Sequence, residues 1–140
     1  MSTARFDFGQ LRAFQSRTVE HQFTLYLADG ATPAALASGD TVRFKVWDVA
    51  DAVVLDVNSA GALAGGSIVT VDVLGTAGVT PAEVTVKLAQ ADVAGIAAKT
   101  YQCELAQVDD SGTSPDDPII PIGRGTLKVE TSAGGDVGLT

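Results

Sequence analysis

Apolar residues at every second position, repeated in segment after segment, constrain this chain more than any other feature of its 140 residues. A period of two sends one face of an extended strand into a core and the other toward water, and no helix satisfies it. The pattern is strongest from Glu83 to Val108. There Val84, Val86 and Leu88 fall on one face and Thr85 and Lys87 on the other, and the alternation returns as Tyr101, Cys103 and Leu105. Upstream, Val19, His21, Phe23, Leu25 and Leu27 alternate with Thr18, Glu20, Gln22, Thr24 and Tyr26. Val42, Phe44 and Val46 alternate with Arg43, Lys45 and Trp47, which places the tryptophan on the outward set. Val53 to Val57 is a short apolar run, Ser67 to Val73 sets Val69, Val71 and Val73 against Thr70 and Asp72, and Gly123 to Glu130 predicts the last strand.

The intervening segments carry turn chemistry. Asp29-Gly30, Ser38-Gly39-Asp40, the Gly- and Ala-rich stretch Asn58 to Gly66, and Leu74 to Ala82 with Gly75, Gly78 and Pro81 all interrupt strands. Gln90 to Ala98 has room for one helical turn, with Val93 and Ile96 three apart. VDDSGTSPDDPIIPIG reads as a loop, because its three prolines cannot continue a central strand. About seven or eight short strands without a long helix predict an all-β, two-layer antiparallel sandwich. The expected organisation is an N-terminal arm over 1–16, the sandwich over 17–130 and a Gly-rich tail over 131–140.

The arm concentrates Phe6, Phe8, Leu11 and Phe14, three of the five phenylalanines among them. Phe6 and Phe8 alternate around Asp7, and Gly9 then permits a turn. An arm this apolar does not trail in water. Either it packs on its own sandwich or it lies across a neighbouring subunit.

One domain of this length buries roughly 70% of the surface its unfolded chain exposes, so it folds without staples. The net charge of −8 comes with nine basic residues scattered from Arg5 to Lys128 in no run. A nucleic-acid partner needs a positive surface and is excluded on this count, and an anionic membrane is disfavoured likewise. No charged-then-apolar leader and no apolar stretch of about eighteen residues stands in the sequence, so a cytoplasmic product is expected.

Candidate chemistry is sparse, and neither catalytic residues nor a cofactor are expected. Cys103 is the only cysteine, which rules out an internal disulfide and fits a buried filler. His21 is the only histidine; a zinc site or a triad needs partners at fixed distances, so a structural role is expected. Asp109-Asp110 and Asp116-Asp117 bracket one loop whose spacing matches no EF-hand, leaving a solvated turn or a calcium loop. Six per cent aromatic residues is too few for a glycosidase cleft. The best candidate binding surface is the outward set Arg43, Lys45 and Trp47, since Trp and Arg are enriched at interface hot spots.

Tyr101-Gln102-Cys103 resembles the Y-x-C of immunoglobulin domains, although no partner cysteine exists. A broader resemblance runs from about Glu20 to Glu130. Ala28-Asp29-Gly30 closing a strand, an L-x-x-x-D turn from Leu88 to Asp92, a Y-x-x-x-L strand from Tyr101 to Leu105 and a G-x-L-x-V strand from Gly125 to Val129 are similar to the immunoglobulin-like module of tailed-phage structural proteins, in particular the N-terminal domain of siphophage upper-baseplate proteins. That resemblance implies an immunoglobulin-like sandwich in a non-enzymatic phage or prophage virion structural protein, a capsid decoration or cement protein or a tail or baseplate adaptor. It further implies a homo-oligomer, other virion proteins as partners, synthesis in the host cytoplasm and final residence in the virion. The chain ends after the sandwich, with no receptor-binding region, which favours assembly or reinforcement over host recognition. The expected interface residues are Phe6, Phe8, Leu11, Phe14, Arg43, Lys45 and Trp47. The rival expectation is a stand-alone carbohydrate- or calcium-binding adhesion module using the loops around Trp47 and Asp109 to Asp117.

Overall fold

The computed structural model describes residues 6–26, 31–36, 41–108 and 119–131. Their strands are β1 (Phe6–Phe14), β2 (Val19–Thr24), β3 (Thr41–Trp47), β4 (Val53–Asn58), β5 (Ile68–Val73), β6 (Glu83–Leu88), β7 (Thr100–Val108) and β8 (Ile119–Glu130), with one helical turn, α1 (Gln90–Val93), before β7. They form a five-stranded sheet in the order β1-β8-β7-β3-β4 and a three-stranded sheet in the order β2-β6-β5. This is an all-β, immunoglobulin-like two-layer sandwich: the alternation predicts the two layers, and the motif resemblance implies the immunoglobulin-like form.

The two inner faces meet in one apolar core. Val42, Phe44 and Val46 of β3, Cys103 and Leu105 of β7 and Leu127 of β8 are fully buried opposite Val84, Val86 and Leu88 of β6 and Val69 of β5. Each such side chain contributes about 1.5–3 kcal/mol by leaving water, which is why the period-two pattern decides the fold. Small and β-branched residues predominate in this core.

The first strand departs from the expected arm. Phe6–Phe14 is an integral edge strand of the larger sheet, and the sandwich begins there rather than at residue 17. It pairs with β8 in parallel, Leu11 opposite Leu127 and Ala13 opposite Val129, so the sandwich is not purely antiparallel. Gly9 makes no turn. Its φ of 75° belongs to a bulge, where the register on β8 steps from Asp7 opposite Arg124 to Gly9 opposite Gly125. The bulge reverses the alternation, and the Phe8 ring comes to 5.2 Å from that of Phe23 across the sandwich. Close approach at this point requires a glycine on the neighbouring strand: a Cβ on Gly125 would overlap the Gly9 carbonyl oxygen and the Phe8 ring.

The last strand is longer than the alternation indicates. It starts at Ile119, and Pro121 sits within it opposite Ala106. Two features admit the proline. Among the described residues pairing with β1 begins only at Gly123, beyond Pro121, and a bulge interrupts the β7 register between Leu105 and Ala106. The Asp109 to Asp117 loop, Ala28-Asp29-Gly30, Leu27 and the tail over 132–140 lie outside the described residues.

Candidate functional site

Two regions stand out: a hydrogen-bonded corner at one end of the sandwich and the outer face of the five-stranded sheet. The corner is built on α1. The Asp92 carboxylate accepts the Gly65 N–H at 2.8 Å and the Ser67 N–H at 2.9 Å, and the Ser67 hydroxyl, fully buried, accepts the Ala89 N–H at 2.8 Å. Burial pushes the Asp92 carboxyl up, but the Ser67 hydroxyl and the Ser67 and Gly65 N–H groups together hold it below its ordinary value. Beside it the Tyr101 hydroxyl donates to the Ala97 carbonyl at 2.6 Å, the tyrosine corner of immunoglobulin-like sandwiches. Burial, and then the Asp48 carboxylate, raise the Tyr101 hydroxyl above its ordinary range. Asp92, Ser67 and Tyr101 each make a hydrogen bond that ties this end of the sandwich together.

The outer face is organised by register. Across β8, β7, β3 and β4 the residues Arg124, Glu104, Lys45 and Asp56 occupy successive opposite positions, so charge alternates strand by strand. Opposite charges directly across a ladder stabilise it by about 0.2–1 kcal/mol per pair. Arg124 lies 3.7 Å from Glu104, while Arg43 reaches diagonally to Asp56 with two hydrogen bonds of 2.7 and 3.3 Å. The adjoining row is uncharged: Val53, Trp47, Gln102, Thr126 and Gln10.

At the end of these rows the β3–β4 turn is pinned by Asp48, whose carboxylate accepts the N–H groups of Ala50 and Ala52 at 2.9 and 3.1 Å. Asp51 in this turn has a φ of 65°, the left-handed region in which glycine is the usual occupant. Around it cluster Val49, 92% exposed, and Val53, 49% exposed, beside the half-buried Trp47. A shallow depression of about 290 Å3 between the two rows is lined by Lys45, Trp47, Asp51, Val53, Glu104 and Arg124.

The expected interface residues divide accordingly. Lys45 and Trp47 stand on the outer face with Arg43, which is committed to Asp56. Phe8 and Leu11 instead pack against the core of their own sandwich. Phe14 is 5% exposed, covered by the Arg17 guanidinium 4.3 Å from its ring centre and by Arg12 at 5.6 Å. The side chain of Phe6 is outside the described residues. His21 lies half-buried near the sheet edge, its Nε2 2.8 Å from the Arg12 carbonyl oxygen, tying β2 to β1. Glu104, Arg124, Gln102 and Asp51 were not singled out by the sequence. Their signal was the outward phase of each strand, which locates a face but not which positions lie side by side.

No family model matches this chain, and no curated protein is similar to it.

Proposed function

We propose that this chain is a non-enzymatic phage or prophage virion structural protein, a capsid decoration or cement module or a tail or baseplate adaptor, working through subunit interfaces with other virion proteins and copies of itself. The motif resemblance set out above supports this reading, and the observation that carries it is the placement of β1. An N-terminal strand that closes the sheet from its edge, through a parallel ladder to β8, can occupy the same position on a neighbouring copy. The apolar residues expected at an interface, Phe8, Leu11 and Phe14, all belong to that strand, so they reach a neighbour only by exchange of β1. Exchange keeps every native contact and changes only which chain supplies it, a low-cost route to oligomers.

The test is a crosslink at the exposed pair Arg12 and Lys128, which lie opposite each other in the ladder. In the doubly substituted chain, Arg12→Cys with Lys128→Cys, exchange joins different chains into covalent oligomers on oxidation. Light scattering on the unmodified protein then gives a multiple of the chain mass. Closure within single chains, together with the mass of one chain at every concentration, overturns β1 exchange.

A further inference from the structure

The outer face carries a second depression that continues the one beside Trp47. It measures about 360 Å3, is lined by Gly9, Gln10, Gln102, Gly125 and Thr126, and shares Arg124 with the first. Together they form a shallow track running across the strands from β4 to β1. Each is close to the lower bound of small-molecule sites, about 300 Å3.

The chemistry along this track is specific in kind. At one end stands the indole of Trp47 with Val53 beside it, an apolar platform with a single N–H donor. The indole N–H, the Lys45 ammonium and the Asp51 carboxylate have no hydrogen-bond or ion-pair partner among the described residues. Next to them Glu104 and Arg124, only 3.7 Å apart, present acceptor and donors side by side. At the other end the carboxamides of Gln10 and Gln102, likewise without a partner among the described residues, offer a donor and an acceptor each, and Thr126 adds a hydroxyl.

From this arrangement we infer that the outer face binds a neutral oligosaccharide laid across the strands, one sugar ring stacked on Trp47 and the next units bonded through Glu104, Arg124, Gln102 and Gln10. A pyranose has an apolar C–H face that fits an aromatic platform and a rim of hydroxyls that are donors and acceptors at once. Adjacent donor and acceptor side chains match that rim. Charge argues for a neutral ligand: Lys45 and Arg124 balance Asp51 and Glu104 in the first depression, the second adds only neutral groups, and the chain's net charge of −8 opposes phosphate or sulfate polymers. Asp51 takes its left-handed φ of 65° in a turn closed by its N–H to the Asp48 carbonyl, and that turn holds its side chain at the edge of the depression.

Trp47 is the only tryptophan, so fluorescence excited selectively in the indole band reports this site alone. The probes are four neutral hexasaccharides, of β-1,4-glucose, β-1,4-N-acetylglucosamine, α-1,4-glucose and β-1,4-mannose, each titrated to about 10 mM, well above a millimolar Kd, with heparin as the anionic comparison. The expected result is a saturable change in Trp47 emission with at least one hexasaccharide, weakened at least tenfold in Asp51→Gly and in Gln102→Ala. Asp51→Gly is expected to melt no lower than the unaltered protein, which separates lost binding from lost fold. Calorimetry on Trp47→Ala is expected to show no heat of binding. A flat response to all four, a response to heparin alone, or affinity untouched by both Asp51→Gly and Gln102→Ala overturns the assignment. None of these readouts depends on whether β1 is exchanged between copies.

Discussion

Asp92 is the residue on which the corner turns. Its two oxygens satisfy the N–H groups of Gly65 and Ser67, and through Ser67 it steadies Ala89 at the start of α1. Hydrogen bonds to a charged acceptor contribute more than neutral ones, and removing the acceptor leaves the donors unsatisfied. A carboxyl held below its ordinary value of 3.8 contributes stability that is fully present above that value and is lost as pH falls through the folded one. Asp92→Asn, which keeps the volume and removes the charge, is therefore expected to lower stability by about 2 kcal/mol at neutral pH. The gap should narrow as pH falls below about 4. Urea unfolding of both proteins from neutral to acid pH checks this, and a gap that does not change with pH would show that the charge is idle. Asp92 was visible in the sequence as the end of an L-x-x-x-D turn. Its partners, twenty-five and more residues upstream, were not.

Among the elements β1 is the one whose attachment hangs on small residues. The bulge at Gly9 and the bare Cα of Gly125 let the strand sit close enough for Phe8 to reach Phe23. A methyl group at Gly125 comes 2.7 Å from the Phe8 ring and closer still to the Gly9 carbonyl, a backbone atom that cannot swing aside. Gly125→Ala is thus expected to cost about 2 kcal/mol, in the range of overpacked sites. It should also loosen β1 selectively. Hydrogen exchange is expected to quicken at Leu11 to Phe14 while the amides of β3, β6 and β7 keep their protection. Unchanged protection on β1 would mean that the strand tolerates the methyl and that the close approach is not what holds it. The alternation of Phe6 and Phe8 suggested a strand followed by a turn, since a positive φ at glycine serves a turn and a bulge equally well. Only the β8 neighbour distinguishes the two.

At the scale of the whole molecule the two sheets share one core, and Cys103 at its centre is fully buried. A small sandwich of this kind opens as a unit, so the thiol is expected to react with Ellman's reagent only through global unfolding. Its labelling rate should rise with urea along the same curve as the unfolding followed by circular dichroism. Rapid labelling in native buffer would instead reveal a local opening between β7 and its neighbours. The alternation by itself determined that the chain is a two-layer β-sandwich and which side chains fill it, because burying apolar side chains is a local choice that each strand makes in its own sequence. It also placed Trp47, Lys45 and Arg43 outward. Strand order, the parallel seating of β1, the proline inside β8 and the juxtaposition of Trp47, Asp51, Glu104, Arg124 and Gln102 were decided only by the tertiary structure. Register joins residues far apart in the chain, and no local pattern of residues records which strand becomes the neighbour of which.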